Sequence, residues 1–437
     1  MSPKSNRALL IAEACNPEWV SIPLEGWSHS RAIASLTPAH LVTQIRNRDA
    51  LLRAGLVEGR DFTAIDSEPA ARPAYALASL LRGGKGKGWT TATALSAAAY
   101  PYFEHLLWQK FAPRIADGEF DLVHRLTPLS PTIPSSIAQK CRAAGVPFIL
   151  GPLNGGVPWP AGFDASRRRE KEWLSYIRDA HRFLPGYLQT RRCASAILIG
   201  SRDTWRQMPR GFHAKCFYVP ENGYDPERFT TPRQRKAERP IRAIFVGRLV
   251  PYKGADMLLE AAAPILKSGA MTLDIIGDGP QKAQLAQTIR RENLESSVKL
   301  PGFVPHAELQ KWLVAADLFT FPSVREFGGA VILEAMAMGA VPMVVDYGGP
   351  GELTTPNTGF LIPLGSRTQI IEHLRRLLSD VAANPESLHA RSESARDRAR
   401  RHFTWQAKAR SVIEIYRWVR GLQNDRPNCP MPIPDDA

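Results

Sequence analysis

Residues 317–345 limit what this chain can fold into more than any other stretch. The run 317–322, Asp-Leu-Phe-Thr-Phe-Pro, is short, apolar and aromatic and stops at proline, as a buried strand does. Residues 330–338 are strong helix formers, closed by Gly339, which accepts a left-handed C-terminal cap without strain. Residues 340–345 are apolar and β-rich again. Strand, loop, helix and strand in that order is the crossover of a parallel sheet, so the fold class is α/β.

Two carboxylates in this unit need partners. Glu326 stands on the loop before the helix. Glu334 is surrounded by Val331, Ile332, Leu333, Ala335, Met336 and Met338. A helix apolar on all sides is buried, and a buried carboxylate without a partner costs several kcal/mol. Glu334 therefore either pairs with an arginine as a structural ion pair or meets the hydroxyls of a ligand. It lies roughly 7–9 Å below the helix start, at about 1.5 Å per residue. Phe327, Gly328 and Gly329 lead into that start, whose free N–H groups suit an anion. An anion there, with hydroxylated groups beside Glu326 and Glu334, describes a sugar, a diphosphate and a ribose.

The pattern Glu-x7-Glu, with Phe-Gly-Gly after the first Glu and Leu-Glu-Ala-Met-Ala-x-Gly around the second, resembles the donor site of retaining GT-B glycosyltransferases of family 4, the glycosyl transferases group 1. The resemblance implies two facing Rossmann-like domains, a cleft between them, and a C-terminal helix crossing back to the first. It implies a nucleotide-sugar donor as co-substrate, no metal and no further cofactor. The family's Gly-Arg…Lys-Gly segment falls on Gly247, Arg248, Lys253 and Gly254, the two cations facing the leaving diphosphate. Gly277, Phe303 and Val304 match positions bordering the base, through backbone. Glu326 is expected to hold sugar hydroxyls and Glu334 the ribose. The family often reads Asp-Val-Val-His-x-His near residue 124. Here Leu126 replaces the second His, which leaves His124, Arg125 and Thr127 as cleft candidates and His124 as the catalytic one. A structural histidine at a strand end is the alternative. Gly26 and His29 follow the first strand, where the family holds acceptor and diphosphate, although a solvent-facing His29 at a helix start fits the residues equally.

The 437 residues suffice for two domains, each with its own core. The five cysteines (15, 141, 193, 216 and 429) have no metal spacing, which points to reduced thiols and a cytoplasmic setting. No apolar run reaches transmembrane length. The net charge of +14 leaves nucleic acid, an anionic membrane and a phosphorylated substrate open. The expected organisation is an acceptor domain over 1–229, completed by a helix at 404–422. A linker follows at 230–240, then a donor domain over 241–403 and a loose tail over 425–437.

In the first domain, strands are expected at 7–12, 40–43, 120–130, 146–150, 194–199 and 216–219, with a helix from 29 to 36 capped by Ser28. The Gly- and Pro-rich run 151–160 reads as a loop with Asn154 and Gly155 facing the cleft. Residues 82–88 (Arg-Gly-Gly-Lys-Gly-Lys-Gly) form a basic loop without the serine or threonine of a P-loop, either a surface loop or a contact to a phosphorylated acceptor. Residues 164–192 carry eight Lys/Arg against four Asp/Glu, interleaved with aromatics. They suit an anionic membrane surface or an ordinary solvated helix. Together these features lead to a glycan or lipid-linked acceptor, peripheral placement at an inner membrane face and no nucleic acid. The rival readings are a non-catalytic basic protein that binds nucleic acid or membrane, and a nucleotide-sugar hydrolase or epimerase on the same fold.

Overall fold

The computed structural model describes residues 7–69, 89–160, 162–163, 186–230 and 238–428. The basic loop 82–88, most of the basic stretch 164–192, most of the linker and Cys429 lie outside them. The chain divides into two compact units. The first comprises residues 1–155, 168–221 and 405–437, and the second 156–167 and 222–404.

The first unit is built on a seven-stranded parallel sheet. Its strands are β1 (Ala8–Ala12), β2 (Ala39–Gln44), β3 (Phe62–Ile65), β4 (Leu122–Thr127), β5 (Phe148–Leu153), β6 (Ala196–Ile199) and β7 (Cys216–Tyr218), ordered β3-β2-β1-β4-β5-β6-β7. Every residue of β1, β4 and β5 is buried, as expected of a parallel sheet covered on both faces. Two expectations shift here. β5 runs through Gly151 and Pro152, because a Cβ on Gly151 would lie 2.2 Å from Leu198 O and only glycine lets the strand pass. The first helix starts at Ile22 rather than at 29, with Pro23 in its first turn, so Ser28 lies inside the helix Ile22–Ala34 and does not cap it.

The helix Trp405–Val419 returns to this first unit. Trp405, Ala409, Val412, Ile415 and Tyr416 join the core made by β1, β2, β4 and the first helix. Its apolar residues recur at helical spacing, which is why this segment was legible as an amphipathic helix.

The second unit carries a six-stranded parallel sheet. Its strands are β8 (Ile241–Val246), β9 (Met271–Ile276), β10 (Val298–Gly302), β11 (Leu318–Phe321), β12 (Val341–Val345) and β13 (Phe360–Ile362), ordered β10-β9-β8-β11-β12-β13. The helix over Ala330–Met338 has the bounds read from the sequence, and Gly339 caps it at φ 89°. Two pieces were not expected. Gly348–Leu353 is a short helix, its glycines masking the helical path, and Ser387–His402 is a further helix. The boundary between units falls at Asn222 rather than after Phe229. Tyr224 N donates to Phe403 O at 2.9 Å, and Phe229 packs on His306 at 5.8 Å, so these residues are anchored in the second unit. No helix among the described residues is long and apolar enough to cross a membrane.

Candidate active site

In an open parallel sheet, ligands bind beyond the carboxyl ends of the strands, where the strand order reverses. In the second unit that reversal lies between β8 and β11. The loop after β8 carries Gly247, Arg248 and Lys253. The loop after β11 carries Arg325 to Gly329.

Backbone approaches fix these loops. Gly247 N donates to Ile276 O at 3.0 Å and Gly277 N to Gly302 O at 2.8 Å. A Cβ on Gly277 would lie 1.9 Å from Gly247 O, so Gly277 is held by close backbone approach. Val324 N donates to Tyr252 O at 2.9 Å, joining the loop after β8 to the loop after β11. Gly349 N donates to Glu326 O at 3.1 Å, adding the segment after β12.

The structure brings Lys253 and Glu326 together as an ion pair between Nζ and Oε2, both side chains largely buried. Lys253 Nζ also sits 5.3 Å from the Phe321 ring centroid. Arg248 is exposed, and its side chain has no hydrogen bond or ion pair among the described residues. It is therefore the cation ready for a new anion. Gly329 precedes the helix at φ 81°, with no side chain capping the helix start. Phe327, half-buried, packs on Gly156 and lies 5.0 Å from the Arg325 guanidinium, which also covers Trp159 at 4.6 Å. Phe303 is 75% exposed, and Val304 follows it at the end of β10.

Glu334 is buried, as its apolar neighbours required. The arginine of the ion-pair alternative is not its direct partner. His306 Nε2 meets Glu334 Oε1 at 2.7 Å, and Arg228 Nη2 meets His306 Nδ1 at 3.0 Å. Sequence reasoning missed His306, Arg228, Arg325 and Trp159. Only the histidine had a visible signal, a lone ring in the Val-Pro-His turn after β10.

In the first unit the strand order reverses between β1 and β4. Gly26 lies against the loop after β1, where a Cβ would be 2.1 Å from Ala14 O. His29 is not at a helix start in solvent. It is 3% exposed, and its Nε2 has no hydrogen-bond partner. Burial first, then the charge of Lys408, hold its pKa well below the usual imidazole range. His29, Glu25, Gly26, Leu126, Thr127 and Glu221 line a cavity of about 10 Å³, room for roughly one water or one hydroxyl. Lys408 Nζ donates to Glu221 O, and burial lowers its pKa to about 7. Asn154 and Gly155 follow β5, Asn154 Oδ1 accepting from Ser201 Oγ at 3.3 Å and Gly155 N donating to Thr204 Oγ1 at 2.9 Å.

His124 is a correction to the expected site. It is fully buried in β4, with Nε2 2.6 Å from Gly151 O and Nδ1 2.7 Å from Tyr416 Oη. The carbonyl can only accept, so Nε2 carries the proton and Nδ1 accepts from the tyrosine. Both nitrogens are engaged inside the core. Burial lowers its pKa to about 3, against about 6.5 for a free imidazole. This ring holds the returning helix to the sheet, with a consequence for stability. The unfolded chain takes up the proton first, so the stabilisation is complete above about pH 6.5 and is lost as pH falls toward the folded-state value. We expect the melting temperature to fall between pH 6.5 and 4, this histidine accounting for a loss on the order of 3 kcal/mol by pH 4. His124→Gln, which can keep both hydrogen bonds but does not titrate, should flatten that slope. An unchanged slope would show that the ring titrates alike in the folded and unfolded chains, and that its burial does not set the pH dependence.

The four cysteines among the described residues are free and buried, and burial pushes Cys15, Cys141 and Cys216 up to about 12.

Residues 227–398 match the family model of glycosyl transferases group 1. Among curated relatives, the amylovoran biosynthesis glycosyltransferase AmsK of Erwinia amylovora is 34% identical over 38% of this chain and 43% of its own length. The putative colanic acid biosynthesis glycosyltransferase WcaL of Escherichia coli is 29% identical over 59% of this chain and 68% of its own. Glycogen synthase of Mycobacterium tuberculosis is 30% identical over 49% and 51%. The chain thus spans about half the length of several curated relatives it matches. Among solved structures, sucrose-phosphate synthase from Thermosynechococcus elongatus superposes with a TM-score of 0.63 at 17% identity, covering 96% of this chain and 100% of that one. Anabaena HepE in complex with UDP superposes with a TM-score of 0.59 at 17% identity, covering 94% and 99%. At such identities the likeness concerns the fold, which is GT-B with two parallel-sheet Rossmann-like units.

Proposed function

We propose that this protein is a group 1 glycosyltransferase that moves a sugar from a nucleoside diphosphate to an acceptor hydroxyl with retention of anomeric configuration. The observation that carries the reading is the second unit's switch point. There, an exposed Arg248, a Lys253–Glu326 pair and an uncapped helix start gather at the carboxyl edge, and Glu334 is buried in the same helix. The family match over 227–398 and the complexes of HepE with UDP and UDP-glucose support a nucleotide-sugar donor.

Cleaving the bond from anomeric carbon to phosphate leaves a sugar with oxocarbenium character and a diphosphate that gains negative charge. Arg248, Lys253 and the N–H groups at the helix start are fixed positive charge for that leaving group. Glu326 accepts from the sugar hydroxyls while holding Lys253 in place. Glu334 accepts from the ribose, and Gly277, Phe303 and Val304 border the base. In the resembled family the leaving phosphate takes the acceptor's proton from the same face, and His124 has no role in that route. No metal is assigned a part.

On the acceptor side we assign His29, with Gly26 allowing its helix to approach, and Asn154 and Gly155 at the end of β5. The names of the amylovoran and colanic acid biosynthesis relatives support an acceptor in polysaccharide building; a lipid-linked acceptor at a membrane surface is part of the same proposal. Neither a non-catalytic binder nor a hydrolase or epimerase draws comparable support.

The test is a thermal-shift panel of uridine, guanosine and adenosine diphosphate sugars, followed by the Glu334→Gln variant with the best of them. A lost charge-assisted hydrogen bond should weaken nucleotide binding about 10-fold or more. If Glu334→Gln lowers the melting temperature but leaves nucleotide affinity unchanged, the carboxylate is structural and the donor assignment falls.

A further inference from the structure

We propose that His306, oriented by Arg228, is the positioning residue that presents the Glu334 carboxylate to the donor ribose, an inference resting on the donor reading above. A guanidinium only donates, so the 3.0 Å contact from Arg228 Nη2 makes His306 Nδ1 an acceptor. The neutral ring then carries its proton on Nε2 and donates to Glu334 Oε1 at 2.7 Å. The tautomer is set by the arginine and the carboxylate is set by the tautomer. The Phe229 ring, 5.8 Å away, packs against the imidazole and limits its rotation.

Only one carboxylate oxygen is used. Glu334 Oε2 makes no hydrogen bond among the described residues and is absent from their buried unsatisfied atoms. A buried carboxylate held by one oxygen, with the other left to accept, suits a hydroxyl-bearing ligand. The pieces come from separate segments. Arg228 and Phe229 lie where the chain enters the second unit, His306 follows β10, and Glu334 sits in the helix after β11. The role is one of orientation, because none of the three supporting residues is asked to touch the reacting atoms.

The experiment uses the full chain and isothermal titration with UDP, GDP or ADP, whichever binds best, and with the 2′,3′-dideoxy form of the same nucleotide. Wild type is expected to prefer the ribose form about 10-fold or more, the scale of a hydrogen bond to a charged group. His306→Ala should shrink that preference to about 2-fold by leaving the carboxylate unoriented. His306→Gln should restore most of it, since an amide can accept from Arg228 and donate to Glu334. In steady-state assays His306→Ala should raise KM with kcat little changed, because the ribose is remote from the reacting bond. Should His306→Ala not fold, Arg228→Ala gives the same reading, as it frees the tautomer without removing the ring. A mutant that keeps the full wild-type preference for the ribose form overturns the inference and leaves the donor reading standing. Wild type without that preference, or without binding to any of the three nucleotides, overturns the donor reading itself and the inference with it.

Discussion

Replacing Arg248 with alanine is expected to lower kcat about 10³-fold while leaving the protein folded. The side chain is exposed and holds no hydrogen bond or ion pair among the described residues, so its loss removes nothing from the folded state. Substitutions of this kind change stability by about 0.5 kcal/mol or less. In the proposed reaction, however, the guanidinium faces the diphosphate as its charge grows, and fixed positive charge at a leaving group acts mainly on the transition state. Lys253 cannot fully substitute, because its charge is shared with Glu326. Arg248→Lys should recover part of the rate, keeping the charge but losing the two-pronged fork that matches phosphate oxygens. Near-normal kcat in the alanine variant, with an unchanged melting temperature, would remove the leaving-group role.

Gly277→Ala is expected to act through the backbone, with a loss of several kcal/mol in stability. Gly277 has φ +143°, and an added Cβ would lie 1.9 Å from Gly247 O and 2.9 Å from Gly247 C. Neither atom is the end of a flexible side chain, so the loop after β8 must move. That loop carries Arg248, and donor binding should weaken together with stability. Gly269→Ala is the control. Gly269 also has positive φ, at +73°, but open space around its missing Cβ. It should cost only about 1–2 kcal/mol of backbone strain. Urea unfolding of the two variants separates the clash from the strain. Equal losses would show that the two loops have room to part.

Much of the second unit could be read directly from residues. The helix over Ala330–Met338, its Gly339 cap and the strands β11 and β12 follow from short apolar runs and single punctuating residues, and these signals are local. Burial of Glu334 was likewise legible, since a helix with apolar residues on every side leaves no solvent face. The helix Ile22–Ala34 was harder. Its Gly26 and Pro23 mimic a loop, while Gly26 is present for its close approach to Ala14 O. The short helix at Gly348–Leu353 was masked the same way, its glycines meeting the backbone of residues 326–328 and the flank of Asp346.

Local pattern determined the α/β class, the parallel crossovers and the two acidic residues of the Glu-x7-Glu pattern, because helix, strand and cap preferences act over a few neighbours. Partners across long separations were decided only when the chain folded. Glu334 finds His306 rather than an arginine, and Lys253 spends its charge on Glu326. His124 turns inward to Tyr416, 292 residues away in sequence, and of the two places open to His29 the fold chooses a buried cavity over solvent. Which donor meets which acceptor depends on how sheets and returning helices stack, and no short stretch of residues contains that information.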